Sequence, residues 1–346
     1  MNIRKIIDGL DFSPIYETIS YQNFSATELY LLSSVKSRAI TKSSRRQLCL
    51  VIISVVFLAA AIPASIKLSS GIWNPIMIGL VTMVVSTILV AALQADKHYA
   101  KEVELIKIRL DIFASRNNLT SATFYGKIGD GAKAHLAAYD PGARQMSVKI
   151  NDSINFSTFL YKESNFDSIR CLRCLQLRLP RKVPHIMLDS RRHPFFWGRI
   201  HKMQEVSLEG NFGKYFKLFL PPNYQIDTLQ IFTPDVMDVL MQYGANYSIE
   251  LFGDNLYLYF VQGDIIRFKP DGRIKLFLSS ARHIYDEFRG QAKNYSDHRV
   301  KNWTDNYVKP EGARLKSRTG WKWIVTSGAI AIILSQILRI LAKLAL

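Results

Sequence analysis

Leu48–Ile66 reads LCLVIISVVFLAAAIPASI and carries no ionisable group except the Cys49 thiol; Ile72–Ala95, IWNPIMIGLVTMVVSTILVAALQA, carries no charge. Only Lys67, Leu68 and a Ser-Ser-Gly turn separate the two. A hydrocarbon core of ~30 Å takes about 20 helical residues to cross, so each segment is near or above the length of one crossing. Lipid offers no partner to an unpaired backbone amide, so both are expected to be helical. Residues 48–95 therefore read as a transmembrane hairpin, with a buried core hairpin of a soluble protein as the alternative.

The flanks set an orientation. Lys36, Arg38, Lys42, Arg45 and Arg46 precede the hairpin with no acidic residue among them, and Lys97, Lys101, Lys107 and Arg109 follow it. Positive charge on short flanks stays in the cytoplasm, so both ends are expected inside and the turn at Lys67 outside. At the other end of the chain Trp321–Leu346 is apolar again. Trp321 and Trp323 suit an interfacial belt, and Arg339 and Lys343 could snorkel from the far end of a crossing. A third transmembrane helix and a membrane-surface helix both remain open for residues 321–346.

The chain has 45 Lys and Arg against 28 Asp and Glu, a formal charge of +17, and a pI of about 9.7. In a membrane protein such an excess points first to anionic lipid headgroups and second to nucleic acid. Aromatic residues are not interleaved with the basic ones in an RNA-binding pattern, so no nucleic-acid partner is expected. Three cysteines, one of them inside an apolar segment, make no disulfide framework and favour a reducing compartment.

Residues 1–47 form an amphipathic N-terminal region. Ile3, Ile7 and Leu10, then Phe12, Ile15 and Ile19, recur at three- and four-residue intervals, which suits a helix lying on the membrane or on the folded domain, or a solvated leader. No secretory signal pattern is present. Residues 96–120 read as a helical stalk. Tyr99, Val103, Ile106, Leu110 and Phe113 make one stripe opposite Lys101, Glu104, Lys107 and Asp111, which suits packing on its own domain or on a partner.

Residues 121–308 are expected to form a cytosolic α+β domain. Strands are expected over Thr123–Tyr125, Ala134–Tyr139, Gln145–Ile150, Leu172–Leu179, Val183–Leu188 and Tyr215–Leu220. Thr233-Pro234-Asp235 supplies an N-cap, a first-turn proline and an acidic first turn for a helix that Gly244 ends. Tyr247–Phe252 and Leu256–Gln262 flank Gly253-Asp254-Asn255, a hairpin signal. Ile265–Phe268 is a further short strand, Ser279–Gly290 a closing helix, and residues 309–346 a basic linker leading into the apolar tail. The expected fold class is thus α+β: a transmembrane α-helical hairpin, a cytosolic antiparallel-sheet domain with a few helices, and a C-terminal apolar helix.

No catalytic set declares itself. Gly126–Gly131 lacks the lysine of a phosphate loop, and no G-x-S-x-G or H-E-x-x-H is present. Cys171-Leu172-Arg173-Cys174 is a lone C-x-x-C. His185, His193 and His201 could complete a Cys2His2 zinc site, but on a strand the two thiols would point to opposite faces, which makes structural cysteines the better reading. No metal or other cofactor is expected. Charge is more telling: Arg170, Arg173, Arg178, Arg181, Lys182, Arg191, Arg192, Arg199 and Lys202 are opposed only by Asp189, whereas Glu205–Asp264 is acidic. These nine are the candidates for contact with an anionic surface, with Phe196 and Trp197 as interfacial anchors; compensation between the two segments inside the fold is the other reading.

VSLEGNFGKYFKLFL, IFTPDVMDVLMQY and NLYLYF, between Val206 and Phe260, resemble a pattern of uncharacterised bacterial membrane proteins. It is carried by Leu208-Glu209, Phe212, Phe216, Phe232-Thr233-Pro234, Met237, Leu240 and Leu256-Tyr257, and LPRKVPHIMLDS (Leu179–Ser190) resembles the stretch before it. The resemblance covers about a quarter of the chain and implies a bacterial protein with a two-helix hairpin and a cytosolic α+β domain, without supplying an activity. The expected role is a scaffold or binding module, multi-pass in the inner (plasma) membrane with its domain cytoplasmic. It would contact anionic lipid or a protein partner, a second copy included. A membrane-bound enzyme acting on a lipid or envelope precursor, through His185, His193, His201 and Glu205, is the alternative.

Overall fold

A computed structural model describes residues 3–16, 24–31, 103–125, 144–162, 169–194, 200–208, 210–264, 273–300 and 306–316. The apolar segments 48–95 and 321–346 lie outside them, as do the strands expected at Ala134–Tyr139 and Ile265–Phe268. Among the described residues no helix is long and apolar enough to cross a membrane.

The described chain is a mixture of helices and one antiparallel sheet. Its strands are β1 (Thr120–Tyr125), β2 (Arg144–Asn151), β3 (Ile154–Lys162), β4 (Ile169–Ser190), β5 (Glu205–Val206), β6 (Phe216–Phe219) and β7 (Ser248–Asp264). They run in the order β1-β2-β3-β4-β6-β5, with β7 also paired to β4. β4 is the axis. β7 lines one of its edges from Arg170↔Asp264 to Leu188↔Ile249. β3 takes the first half of the other edge, and β6 takes its last four residues.

The strands expected at Leu172–Leu179 and Val183–Leu188 are therefore one strand. Tyr247–Phe252 and Leu256–Gln262 are likewise two halves of β7, and no hairpin forms at Gly253. Both strands bulge at the same place instead. Four residues, Leu179 to Lys182, lie between Arg178 and Val183, while only Asp254 separates their partners Asn255 and Gly253. Gly253 has φ +60°, which a glycine adopts without penalty and which suits a bulge as well as a turn. Pro180 and Pro184 fall in the bulged stretch, where no ladder hydrogen bond is asked of them.

The bulges also fold the β4–β7 ribbon over. Nine residues of straight strand would cover about 30 Å, yet the Tyr259 hydroxyl donates to Glu250 Oε2 at 2.6 Å. The sheet face bearing both side chains lies on the inside of this corner. A second shift, between Val183 and Ile186, reverses the alternation: Val183, Ile186 and Leu188 face the main core, and His185 is turned to the inside of the corner.

Helices cover the outer face. They are α1 (Ile3–Asp8), α2 (Ser13–Tyr16), α3 (26–31), α4 (103–116), α5 (Gln225–Ile231), α6 (Pro234–Val239), α7 (Arg273–Asn294) and α8 (Pro310–Ala313). α7 is the closing helix, longer than expected at both ends, with Ile274, Phe277, Ile284 and Phe288 in the core. α6 starts at Pro234 with Thr233 extended before it, then widens into a π turn that ends at Gly244.

The apolar stripe of the stalk packs on its own domain. Val103, Ile106, Leu110 and Phe113 of α4 are buried in the main core, while Ile112 on its other side packs with Phe24. Helix α4 thus packs against both the sheet and the N-terminal segment, which docks on the folded domain. Phe12 stacks on Phe113 at 4.7 Å, and Phe113 meets Phe156 of β3 edge-on at 6.3 Å. Asn117 Oδ1 accepts from the Asp11 N–H at 2.8 Å, and Arg109 Nη1 donates to the Pro14 carbonyl at 2.9 Å. Ser25 and Glu28 form a capping box at the start of α3. Arg116 ties it down with bonds to both Glu28 oxygens at 2.8 and 2.9 Å.

Candidate functional site

Eight of the nine basic candidates are described, and they are dispersed over the fold. Arg170 opens β4, half-buried. Arg178 is exposed on the corner and pairs with Asp254 at 2.9 Å, beside Arg181 and Lys182. Arg191 and Arg192 follow β4: the Arg191 Nε donates to the Gly213 carbonyl at 2.5 Å, and Arg192 Nη1 to Asn246 Oδ1 at 3.3 Å. Lys202 is exposed in a 3-10 turn, Lys202–Gln204. Arg199, Phe196 and Trp197 lie outside the described residues. Arg173 does not belong with them. It is 1% exposed, faces the main core opposite Phe260, and donates to Thr158 Oγ1; burial lowers its pKa. Its odd position on β4 sends it inward with Cys171 and Leu175, which a count of charges along the sequence does not register.

The inside of the corner holds a buried polar network. His185 Nε2 lies 2.8 Å from Glu250 Oε1, whose other oxygen takes the Tyr259 hydroxyl. The Leu315 N–H donates to His185 Nδ1 at 2.9 Å. With Nδ1 accepting, the ring proton sits on Nε2 and points at the carboxylate. Burial, then the neighbouring Glu250, pushes the Cys174 thiol and the Tyr259 hydroxyl well above their usual pKa values. Cys174 therefore stays a protonated thiol, the opposite of an activated nucleophile. Cys171 points to the other face, as its offset from Cys174 requires.

This network anchors the segment that leads to the tail. Leu315 is buried among Leu172, Met187 and Tyr259. The Gln204 amide pairs with the Lys316 backbone in both directions, donating to its carbonyl at 2.8 Å and accepting from its N–H at 2.9 Å. The His201 N–H donates to the same carbonyl at 3.2 Å.

A second hub fixes the preceding residues. Arg299 bridges Asp227 at 2.8 Å and Asp297 at 3.2 Å, with its guanidinium 4.0 Å from the Tyr224 ring centroid. Tyr224 donates to Asp297 at 2.8 Å and Tyr295 to Asp227 at 3.0 Å. Burial works to raise the Asp297 pKa, but hydrogen bonds from the Lys309 and Arg299 backbone, Tyr224 and Arg299 outweigh it and hold it down. Gly312 of α8 sits directly against Tyr224, where a Cβ would overlap the ring.

Of the four residues named for an enzyme, His185 and His201 both hold the Leu315–Lys316 segment, one by its ring and one by its backbone N–H. His185 is buried, while His201 and Glu205 are exposed. His185 is in the buried network, and His193 is exposed beyond β4. His201 accepts the Met203 N–H at 3.4 Å, and Glu205 pairs with Phe219 in the sheet, its side chain exposed. Among the described residues no group of three or more His, Cys, Asp or Glu could hold a metal ion. Sequence reasoning missed the partners of His185, because Glu250, Tyr259 and Leu315 lie 65 to 130 residues away in sequence. No family model, curated protein or solved structure matches the chain.

Proposed function

We propose that this chain is a membrane-anchored binding module, multi-pass in a bacterial inner membrane. Its folded body would lie on the cytoplasmic side and meet anionic lipid or a protein partner. The observation that carries the reading is the docking of residues 3–16 and 24–31 on α4 and α7. α3 and α4 both belong to this body, so a crossing of the membrane between them requires a return. That supports two helices over 48–95, in agreement with the positive charge on both flanks.

The clamp on Leu315 and Lys316 supports the same reading at the other end. It brings the body to within five residues of Trp321, the start of the apolar tail. The resemblance to bacterial membrane proteins with a cytosolic α+β domain is consistent with this layout. Alkaline carbonate extraction of membranes holding the full chain tests the anchoring. The protein is expected to stay with the lipid, and release into the supernatant would overturn the proposal.

A further inference from the structure

The turn Lys202–Gln204 stands beside the exit to the tail, and its side chains are unlike those of a solvated turn. Met203 is 88% exposed, more than any other large apolar side chain described. Lys202 next to it is exposed as well. Arg314 and Lys316 flank Leu315 in extended chain; since Leu315 points into the corner, they point away from it, and both are exposed. Gln204 and the His201 N–H hold Lys316 against this turn. A protruding methionine thus lies on a turn that carries Lys202 and Glu205 and holds the backbone of Lys316, two residues after Arg314.

Position decides what this patch meets. From Lys316 to Trp321 the chain can extend no more than about 18 Å, and the intervening Arg318 adds a further positive charge. Ile226 and Leu229 of α5 and Leu276 of α7, also exposed, have no such link to an apolar segment.

We propose that Lys202, Met203, Arg314 and Lys316 form the bilayer-contacting patch of the folded body. Met203 enters the headgroup layer, and the three cations bind the phosphates of anionic phospholipids. The proposal rests on the reading that residues 321–346 sit in the membrane.

The test uses the full chain with Cys49→Ser, leaving only the buried Cys171 and Cys174 as native thiols. An environment-sensitive fluorophore is placed through Met203→Cys, Leu276→Cys or Ser335→Cys in separate preparations. Each is reconstituted in phosphatidylcholine vesicles, with and without phosphatidylglycerol, containing nitroxide-labelled lipid. The expected result is quenching at 203 and 335 but not at 276, with quenching at 203 strengthened by phosphatidylglycerol. Each cation neutralised (K202Q, R314Q, K316Q) should lower the docked-to-undocked ratio about fivefold, the equivalent of ~1 kcal/mol per charge at an anionic surface. Quenching at 335 without quenching at 203 would overturn the patch and leave the tail reading standing. No quenching at either site would overturn both. Equal quenching at 203 and 276 would mean the body has no preferred membrane face, which also overturns the proposal.

Discussion

At the scale of single residues, the fold depends on ion pairs that close the N-terminal segment onto the domain. The Arg116 hydrogen bond, working against partial burial, holds the Glu28 carboxyl at about 2 rather than its ordinary 4.5. A lowered carboxylate pKa contributes stability that is complete above the unfolded value and disappears as pH falls through the folded value. The Glu28–Arg116 contribution is therefore present at pH 7 and lost between about pH 4.5 and pH 2. Thermal unfolding of wild type and Glu28→Gln in the same detergent should differ at pH 7 and converge towards pH 2. Gly312→Ala is expected to cost about 1–3 kcal/mol or more, because Tyr224 is fixed by Arg299 and Asp297 and cannot swing away. His185→Ala removes the acceptor of the Leu315 N–H and the ring that meets Glu250 Oε1. A loss of about 1–3 kcal/mol is expected, with faster proteolysis around residues 306–316 as a direct readout of the clamp. None of these contacts could be read in the sequence, since each joins residues far apart along the chain.

At the scale of elements, the sequence was most legible where local chemistry acts alone. Thr233-Pro234 begins a helix and Gly244 ends one, and the stripe of Val103, Ile106, Leu110 and Phe113 is buried as its spacing implies. It was least legible where two elements decide together. Gly253-Asp254-Asn255 has the composition of a hairpin turn, but β4 bulges opposite it and keeps both halves of β7 as partners. β3 gave no alternating signal because both of its faces are apolar: Phe156 and Leu160 go to one cluster, Phe159 and Tyr161 to the other. Gly253→Ala should cost about 1 kcal/mol through backbone strain alone, since nothing lies within 4 Å of the added methyl. Phe113→Ala should cost about 3–5 kcal/mol and loosen the N-terminal segment with it, because Phe12 stacks on that ring. Chemical denaturation of the two variants separates these magnitudes.

At the scale of the whole molecule, the docked N-terminus is what changes the picture. The amphipathic pattern of Ile7, Phe12 and Ile15 fits a membrane surface and a protein core equally well, and only the tertiary partners distinguish them. Those side chains are 3%, 6% and 1% exposed, so the residues before the apolar hairpin belong to the same body as those after it. A fragment beginning at residue 97 would lack part of its own core. The proposed out-and-back crossing over 48–95 therefore requires the described residues before and after it to share one side of the membrane. Single thiols at Ala26, Asp238 and Ser70, in a Cys49→Ser background, can be labelled with an impermeant maleimide in oriented membrane vesicles. The account predicts that Ala26→Cys and Asp238→Cys react from one side and Ser70→Cys from the other. Labelling of Ala26→Cys and Asp238→Cys from opposite sides, or of all three from one side, would contradict it.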